Sequence, residues 1–265
     1  MVRDDDIATA GVYLLCRGLF AFAVGPSPAG DRLAVIRLGG HREAGETAAQ
    51  CVARELWEEA GVRISLLDPP ATYRATPTGW GAYHLERLDP GASLAPAPLL
   101  VTPRERSGQH SVTYLAVSEE TPVPSSEVAG ILLLDVSAVR LLTGTPITLG
   151  DFLATGGRAV LRAPLDPTLP LSPFAQLQIL PQLLALHPDL PDLGRIARTD
   201  LGRAALTDLS RATRPDLSRA TRPDLSRATR IQTLAPAIRC ILGSQVHSIL
   251  LGPPPGTGRT GCKAD

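Results

Sequence analysis

Residues 39–62, GGHREAGETAAQCVARELWEEAGV, put three glutamates, Glu55, Glu58 and Glu59, into five consecutive positions of a segment that otherwise reads as one short helix. Like charges three and four apart on a helix surface cost a few tenths of a kcal/mol per pair, so something positive is needed among them. The helix signals are good. Thr47 suits the N-cap, Gln50 three residues on completes a capping box, and Gly61 suits a left-handed stop. The spacing predicts a helix from about Ala48 to Ala60. At about 100° per residue, the three glutamates share an arc of about 100°, beside an apolar stripe of Ala49, Val52, Leu56 and Ala60. One face is buried and its neighbour is acidic. A carboxylate triplet beside a glycine loop suits a hard divalent cation, since Mg²⁺ takes oxygen ligands and is usually shared with substrate phosphates. Taken alone, E-x-x-E-E reads better as a solvated acidic face.

The surrounding residues change that balance. Gly40, five residues, Glu46, seven residues, then Arg54-Glu55-Leu56-x-Glu58-Glu59-x-Gly61-Val62 resembles the Nudix hydrolase signature at every defined position. The resemblance is secure over about 24 residues and extends over the first 150. It implies an α/β fold, a mixed β-sheet sandwiched between helices, in which the signature grips a metal and a diphosphate. It further implies Mg²⁺ or Mn²⁺ as cofactor, with Glu55, Glu58, Glu59 and the Gly39 backbone carbonyl as ligands. Arg54 and Glu46 resemble the ion pair that orients the glutamates. A cation behind a carboxylate fixes its direction and keeps it ionised. The implied substrate is a nucleoside diphosphate linked to another group. Cleaving such a diphosphate needs its oxygens neutralised and a carboxylate to take the proton of water. Glu55 is the candidate base. A second candidate is Glu127, in the loop before the strand near residue 131, where it resembles the family's alternative base; it also reads as simply following Ser125 and Ser126 into a capped helical turn. Where many members read L-P-G-G, this chain reads Leu38-Gly39-Gly40 after Arg37, and the missing proline is expected to loosen the loop entry.

Stretches around the box, ATAGVYLLC, LFAFAV, RLAVIRL, GAYHLERL, SVTYLAV and ILLLDV, are rich in aliphatic and aromatic residues and bounded by turn formers, so they read as strands. The Pro-rich DPGASLAPAP reads as a loop. Pro77 lies 15 residues after Val62, a spacing that resembles the ADP-ribose pyrophosphatase group, and Trp80, Tyr73 and Tyr83 either stack on a base or belong to a strand core. Four scattered cysteines, Cys16, Cys51, Cys240 and Cys262, indicate neither a zinc site nor a disulfide framework. A reduced, cytoplasmic protein is expected, with no signal peptide and no uninterrupted apolar run near the ~20 residues of a membrane span.

Beyond about residue 150 the character of the chain changes. Residues 1–150 carry 12 basic and 17 acidic side chains, net −5; residues 151–265 carry 14 and 9, net +5. The expected organisation is a catalytic domain over 1–150, a Pro-rich helical extension over 151–206, three octads over 207–230, and a short apolar segment with a disordered tail over 231–265. SPFAQLQILPQLLALHP (172–188) reads as two helical turns on either side of Pro181, opened by Ser172 and Pro173. The octads TDLSRATR, PDLSRATR and PDLSRATR each hold one Asp and two Arg. With no aromatic residue for base stacking, they argue against nucleic acid. The alternative to an enzyme is a nucleotide-ligand sensor or transcriptional regulator whose basic C-terminal region binds DNA. The complete signature favours the enzyme; a homodimer is left open.

Overall fold

The computed structural model describes residues 2–79, 81–88, 94–104, 107–125, 127–196 and 206–207. The octads, the tail and Trp80 lie outside the described residues, apart from Thr207 at the head of the first octad.

Two strands organise the sheet. β1 (Ile7–Cys16) turns through Arg17 and Gly18, both at positive φ, into β2 (Leu19–Pro26). Positive φ at both central residues is what a tight hairpin turn needs to match the strands' twist. The hairpin is joined only near its turn, where Leu14–Cys16 face Ala21–Leu19. Beyond that it forks. β3 (Leu33–Arg37) pairs with the outer part of β2, and β4 (Gly39–His41) pairs with the start of β1, so β3 and β4 fill the fork with Leu38 at the bend.

On the other side of β1 lies β9 (His110–Ser118), parallel to it. β8 (Leu100–Pro103), β6 (Thr72–Gly79) and β7 (Ala82–Leu88) continue the sheet from β9, with β5 (Ser65–Leu67) also on β9. On the far side of β2 come β10 (Gly130–Leu134) and β11 (Arg158–Leu161). β12 (Leu171–Pro173) runs parallel to β3, and β13 (Leu206–Thr207) pairs with β5.

Strand periodicity divides the core in two. On β1, Ala10, Val12, Leu14 and Cys16 join the buried stripe of α1 (Ala48–Ala60), namely Ala49, Val52, Leu56 and Ala60. Tyr13 and Leu15, one residue out of step, join the opposite core. That core is covered by α2 (Val136–Gly144), α3 (Leu149–Ala154), α4 (Ala175–Leu186) and α5 (Leu190–Ile196). The result is the expected α/β class, a mixed sheet between helices. No helix among the described residues is long and apolar enough to cross a membrane.

Two expectations are corrected. ILLLDV is not all strand: β10 ends at Leu134, and the Asp135 carboxylate accepts from the Ala138 N–H at 2.7 Å to cap α2. Pro181 does not divide 172–188 into two helical pieces. Ser172 and Pro173 belong to β12, and α4 runs unbroken through Pro181 from its N-cap, Phe174. A proline inside a helix costs about 3 kcal/mol, but Leu177, Ile179, Leu180, Leu183 and Leu184 are buried on the sheet, each worth about 1.5–3 kcal/mol. Burial wins.

The chain beyond residue 150 packs on the same sheet, where β11 and β12 extend it and α4 closes one of its two cores. Leu180→Ala is therefore expected to destabilise the protein by about 2–5 kcal/mol, the range for emptying a packed leucine site. Urea denaturation measures it. A change within about 0.5 kcal/mol would return α4 to the status of an appended extension.

Candidate active site

α1 starts and stops where local chemistry says it must. Thr47 Oγ1 accepts from the Gln50 N–H at 3.2 Å, Gln50 Oε1 accepts from the Thr47 N–H at 2.8 Å, and Gly61 closes the helix at φ +63°. The loop entry is not loose for want of proline. β4 pairs Gly39 with Gly11 and Gly40 with Ala10, and the Leu38 carbonyl accepts from the Val12 N–H at 3.0 Å. Gly39 has to be glycine, and Gly40 leaves room for a side-chain carboxylate. Gly39 sits at φ +126° and a Cβ there would strike Gly11 Cα and the Ala10 carbonyl, while a Cβ on Gly40 would overlap the Glu55 carboxylate.

Arg54 is the positive charge that the glutamates need. Its Nη2 and Nε donate to the two Glu46 carboxylate oxygens at 2.8 and 3.2 Å. Nη1 reaches Glu55 at 3.0 Å and Glu58 at 2.9 Å, and Nη2 also donates to the His41 carbonyl at 3.0 Å. Hydrogen bonding to Glu46 and the charge of Glu55 raise the Arg54 pKa against the effect of burial. For Glu46, burial opposes ionisation, but Arg54 and the Glu43 N–H outweigh it and hold the carboxyl below its ordinary value. Glu55 goes the other way: burial raises it although Arg54 pulls it down. Glu59 makes no ion pair with Arg54. Its Oε2 accepts from the Gly39 N–H at 2.7 Å, and burial, helped by the charge of Glu55, pushes its pKa up to about 8.

The loop carrying Glu127 docks on the end of α1, where the Val123 N–H donates to the Ala60 carbonyl at 2.8 Å and the Ser125 N–H to the Glu59 carbonyl at 2.9 Å. Glu127 is exposed, its N–H donates to Ser125 Oγ at 3.4 Å, and its charge acts on both Glu55 and Glu59. Gly39, Glu46, Arg54, Glu55, Glu58, Glu59 and Glu127 thus form one neighbourhood. Pro77 is exposed on β6, opposite Tyr83 in the edge hairpin, with β8 and β9 between it and β1. Tyr73 is strand core, its hydroxyl 2.8 Å from His187 Nε2. Among the described residues no three His, Cys, Asp or Glu side chains converge as a formed metal site; Glu55 and Glu58 converge on Arg54 instead.

A polar pocket beside Gly39 and Gly40 was not foreseen. Thr9, Arg37, Thr102, Arg104 and Ser111 line it. The one available signal was Arg37, a charge within the otherwise apolar stretch LAVIRL. Burial lowers the Arg37 pKa, opposed first by the charge of Glu59.

A mixed sheet between helices, with a glycine loop leading into a carboxylate-bearing helix organised by one arginine, defines a phosphoanhydride-hydrolase architecture. The family model of the NUDIX domain matches residues 10–153, more than half of the chain, and the protein belongs to the Nudix family. With every signature position present, it is a hydrolase acting on pyrophosphate bonds. Solved structures similar to it include a NUDIX-family hydrolase from Clostridium perfringens, 16% identical over 50% of this chain and 82% of that one, with a TM-score of 0.33. Others are a NUDIX hydrolase from Nitrosomonas europaea (15% identity, 50% and 60% covered, TM-score 0.31) and the E. coli ORF135 protein (18%, 50% and 76%, 0.32). Comparison with curated proteins gives no match.

The raised Glu59 pKa has a signed consequence. An unfolded chain ionises this carboxyl near 4.5, whereas the folded protein holds its proton to about 8. The stability this proton confers is complete below the unfolded value and is lost as pH rises through the folded one. Metal-free protein is expected to lose several degrees of melting temperature between pH 5 and pH 9, and Glu59→Gln to flatten that decline. Thermal melts across the range test it; an identical slope in the variant would assign the titration to another group.

Proposed function

We propose that the protein is a Mg²⁺- or Mn²⁺-dependent pyrophosphohydrolase that cleaves a nucleoside diphosphate linked to another group, with ADP-ribose-like compounds among the candidates. The observation that carries this reading is Arg54, which holds Glu46 through both oxygens and Glu55 and Glu58 through one nitrogen. Three carboxylates on one helix face supply the oxygen donors that a hard divalent cation takes. The fit is supported by Glu59, where burial outweighs the Gly39 N–H that favours ionisation, so that the carboxyl keeps a proton a cation would displace. Glu55, Glu58 and Glu59, with the Gly39 carbonyl, are the residues proposed to hold the ion. Bound there, the metal would neutralise phosphate oxygens and make water a better nucleophile.

The protein's own residues supply the rest. Arg54 and Glu46 position the helix carboxylates, and Gly40 lets the Glu55 carboxylate pass close to the loop backbone. Glu55 accepts the proton of the attacking water, with Glu127 as the alternative base; Glu127 has the water-facing position and Glu55 the more sheltered one, with 13% of its side chain exposed. Pro77 and Trp80 are proposed contacts to the nucleoside. A reduced, cytoplasmic setting is supported by Cys16 and Cys51, both free and buried.

Two outcomes are expected. In a panel of nucleoside diphosphate derivatives with millimolar Mg²⁺, Glu58→Gln and Glu59→Gln should each lower turnover by several orders of magnitude. Whichever of Glu55→Gln and Glu127→Gln removes the base should lower it about 10²–10⁴-fold. Retained turnover in all four variants would overturn the assignment, and salt-dependent DNA binding without turnover would favour a regulator. Metal should also raise the melting temperature of the unliganded protein, since binding to the native state at a hundred times the dissociation constant stabilises by about 2.7 kcal/mol. That gain should be lost in the Arg54→Ala, Glu46→Ala double variant, which touches no proposed ligand; a full shift there would remove Arg54 from its positioning role.

A further inference from the structure

Just before β1 lies a single 3₁₀ turn, Asp4–Asp6, outside the signature and the acidic site. Burial fastens it on both sides, since Val2 and Ile7, 6% and 1% exposed, sit in the core shared with α1. The turn is closed by the Arg3 N–H, which donates to Asp6 Oδ2 at 3.0 Å, and by the Asp6 N–H, which donates to the Arg3 carbonyl at 3.0 Å. Asp4 is thereby held against α1. Its Oδ1 accepts from the Ala48 N–H at 3.1 Å, and its Oδ2 from Arg42 Nη1 at 3.1 Å. The first N–H groups of a helix have no partner within it. The capping box of Thr47 and Gln50 serves their own N–H groups, and Asp4, 44 positions before Ala48, supplies the acceptor that the local motif omits. A carboxylate is also the favoured charge at that end of the helix.

Arg42 makes this cap into a brace. The Nη1 that meets Asp4 also donates to the Glu46 carbonyl at 3.1 Å, and the Arg42 N–H donates to the Ala8 carbonyl of β1 at 3.0 Å. Glu46 Oε1 accepts from the Glu43 N–H at 2.7 Å and shares Arg54 with Oε2. The loop that delivers Glu46 is thus tied to β1 through the Arg42 backbone, to Arg42 through the Glu46 carbonyl, and to Asp4 through the first residue of α1. The Arg42 and Asp4 side chains are 18% and 37% exposed. A partly exposed ion pair by itself contributes little to stability. Here each partner also holds a backbone group of the loop or of the helix, so the pair fixes position.

We propose that Asp4 and Arg42 are positioning residues of the acidic site. They set the place from which Glu46 holds Arg54 and, through Arg54, the spacing of Glu55 and Glu58. The proposal rests on the pyrophosphohydrolase reading for what that site binds and cleaves. Neither residue is among the proposed metal ligands or bases, so both act through others. Their chemistry is specific. Both Asp4 oxygens are in use, so an amide in its place, with one oxygen and a nitrogen that only donates, can serve Ala48 or Arg42 but not both. Arg42 serves its two acceptors through one nitrogen, which a lysine with three donors can replace.

The test is metal binding, separate from turnover. Full-length protein stripped of metal is titrated with millimolar Mn²⁺ alone and followed by calorimetry. Asp4→Asn and Arg42→Gln should each weaken binding about tenfold, the lower end of the range for groups that stand behind a metal's ligands. Arg42→Lys should restore most of it. The isosteric Asp4→Asn should melt within a few degrees of the parent without metal, which separates lost position from lost fold. Asp31→Asn, which breaks an ion pair in the turn between β2 and β3, should leave binding unchanged. In an Arg54→Ala background Arg42→Gln should weaken Mn²⁺ no further, because steps of one path do not add. At saturating metal, turnover assays of Asp4→Asn and Arg42→Gln should show a lower kcat with KM nearly unchanged. No saturable Mn²⁺ binding by the parent, undiminished binding in both variants, or a full additional loss in the Arg54→Ala background overturns the positioning role, while turnover by the parent keeps the hydrolase reading. If binding weakens as expected but no compound in the panel turns over, the positioning role stands and the hydrolase reading falls.

Discussion

Three carboxylates on one guanidinium set the character of this molecule. Without Arg54, the face of α1 that carries Glu55 and Glu58 would repel itself, and the Glu46 carboxylate would lose its tie to the helix. Its five donors are what make it suitable. A lysine presents a single point charge, whereas a planar guanidinium can meet Glu46 with two nitrogens and still offer the third contact to the helix. The same residue accounts for the rest of the loop, because its bond to the His41 carbonyl ties the end of β4 to α1.

The sheet supplies the second constraint. β1 is shared between β2 and β4, and the strand that crosses the opening does so at Arg37 and Leu38. A continuous hairpin would have left no place where backbone could pass from one sheet face toward α1. The fork creates it, and glycine at 11, 39 and 40 keeps it free of side chains. The backbone geometry that admits Arg37 on one side is therefore the geometry that admits the Glu55 carboxylate on the other.

What could be read from the sequence follows from the range of each interaction. α1 was legible to the residue because its caps, its apolar stripe and its glutamates are all fixed within 15 residues of one another. Most strands were legible from alternation and turn formers. Continuity of α4 was not, since the local rule against proline was overruled by burial of Leu177, Ile179, Leu180, Leu183 and Leu184 against a sheet built from residues far upstream. The pairing of β8 with β6 and β9 is likewise tertiary, and its Pro-rich approach conceals it. The polar pocket was the least legible feature, because Thr9, Arg37, Thr102 and Ser111 come from four separate strands or strand ends and none carries a local motif.

Charge separation across the two glycines gives the site its direction. On one side stand Glu55, Glu58, Glu59 and Glu127; on the other stand Arg37, Arg104 and the open end of α4. The groups sense one another: the charge of Arg37 acts to lower the Glu59 pKa, yet burial prevails and the carboxyl keeps its proton to about 8. Arg54 offsets part of the acidic side, whereas among the described residues no carboxylate stands within ion-pair distance of Arg37. In the proposed reading a cation would complete the acidic side. Gly39 joins the two sides, its N–H donating to Glu59 while it lines the Arg37 pocket, so a change of charge at Glu59 is felt by Arg37 across the shortest path the fold provides.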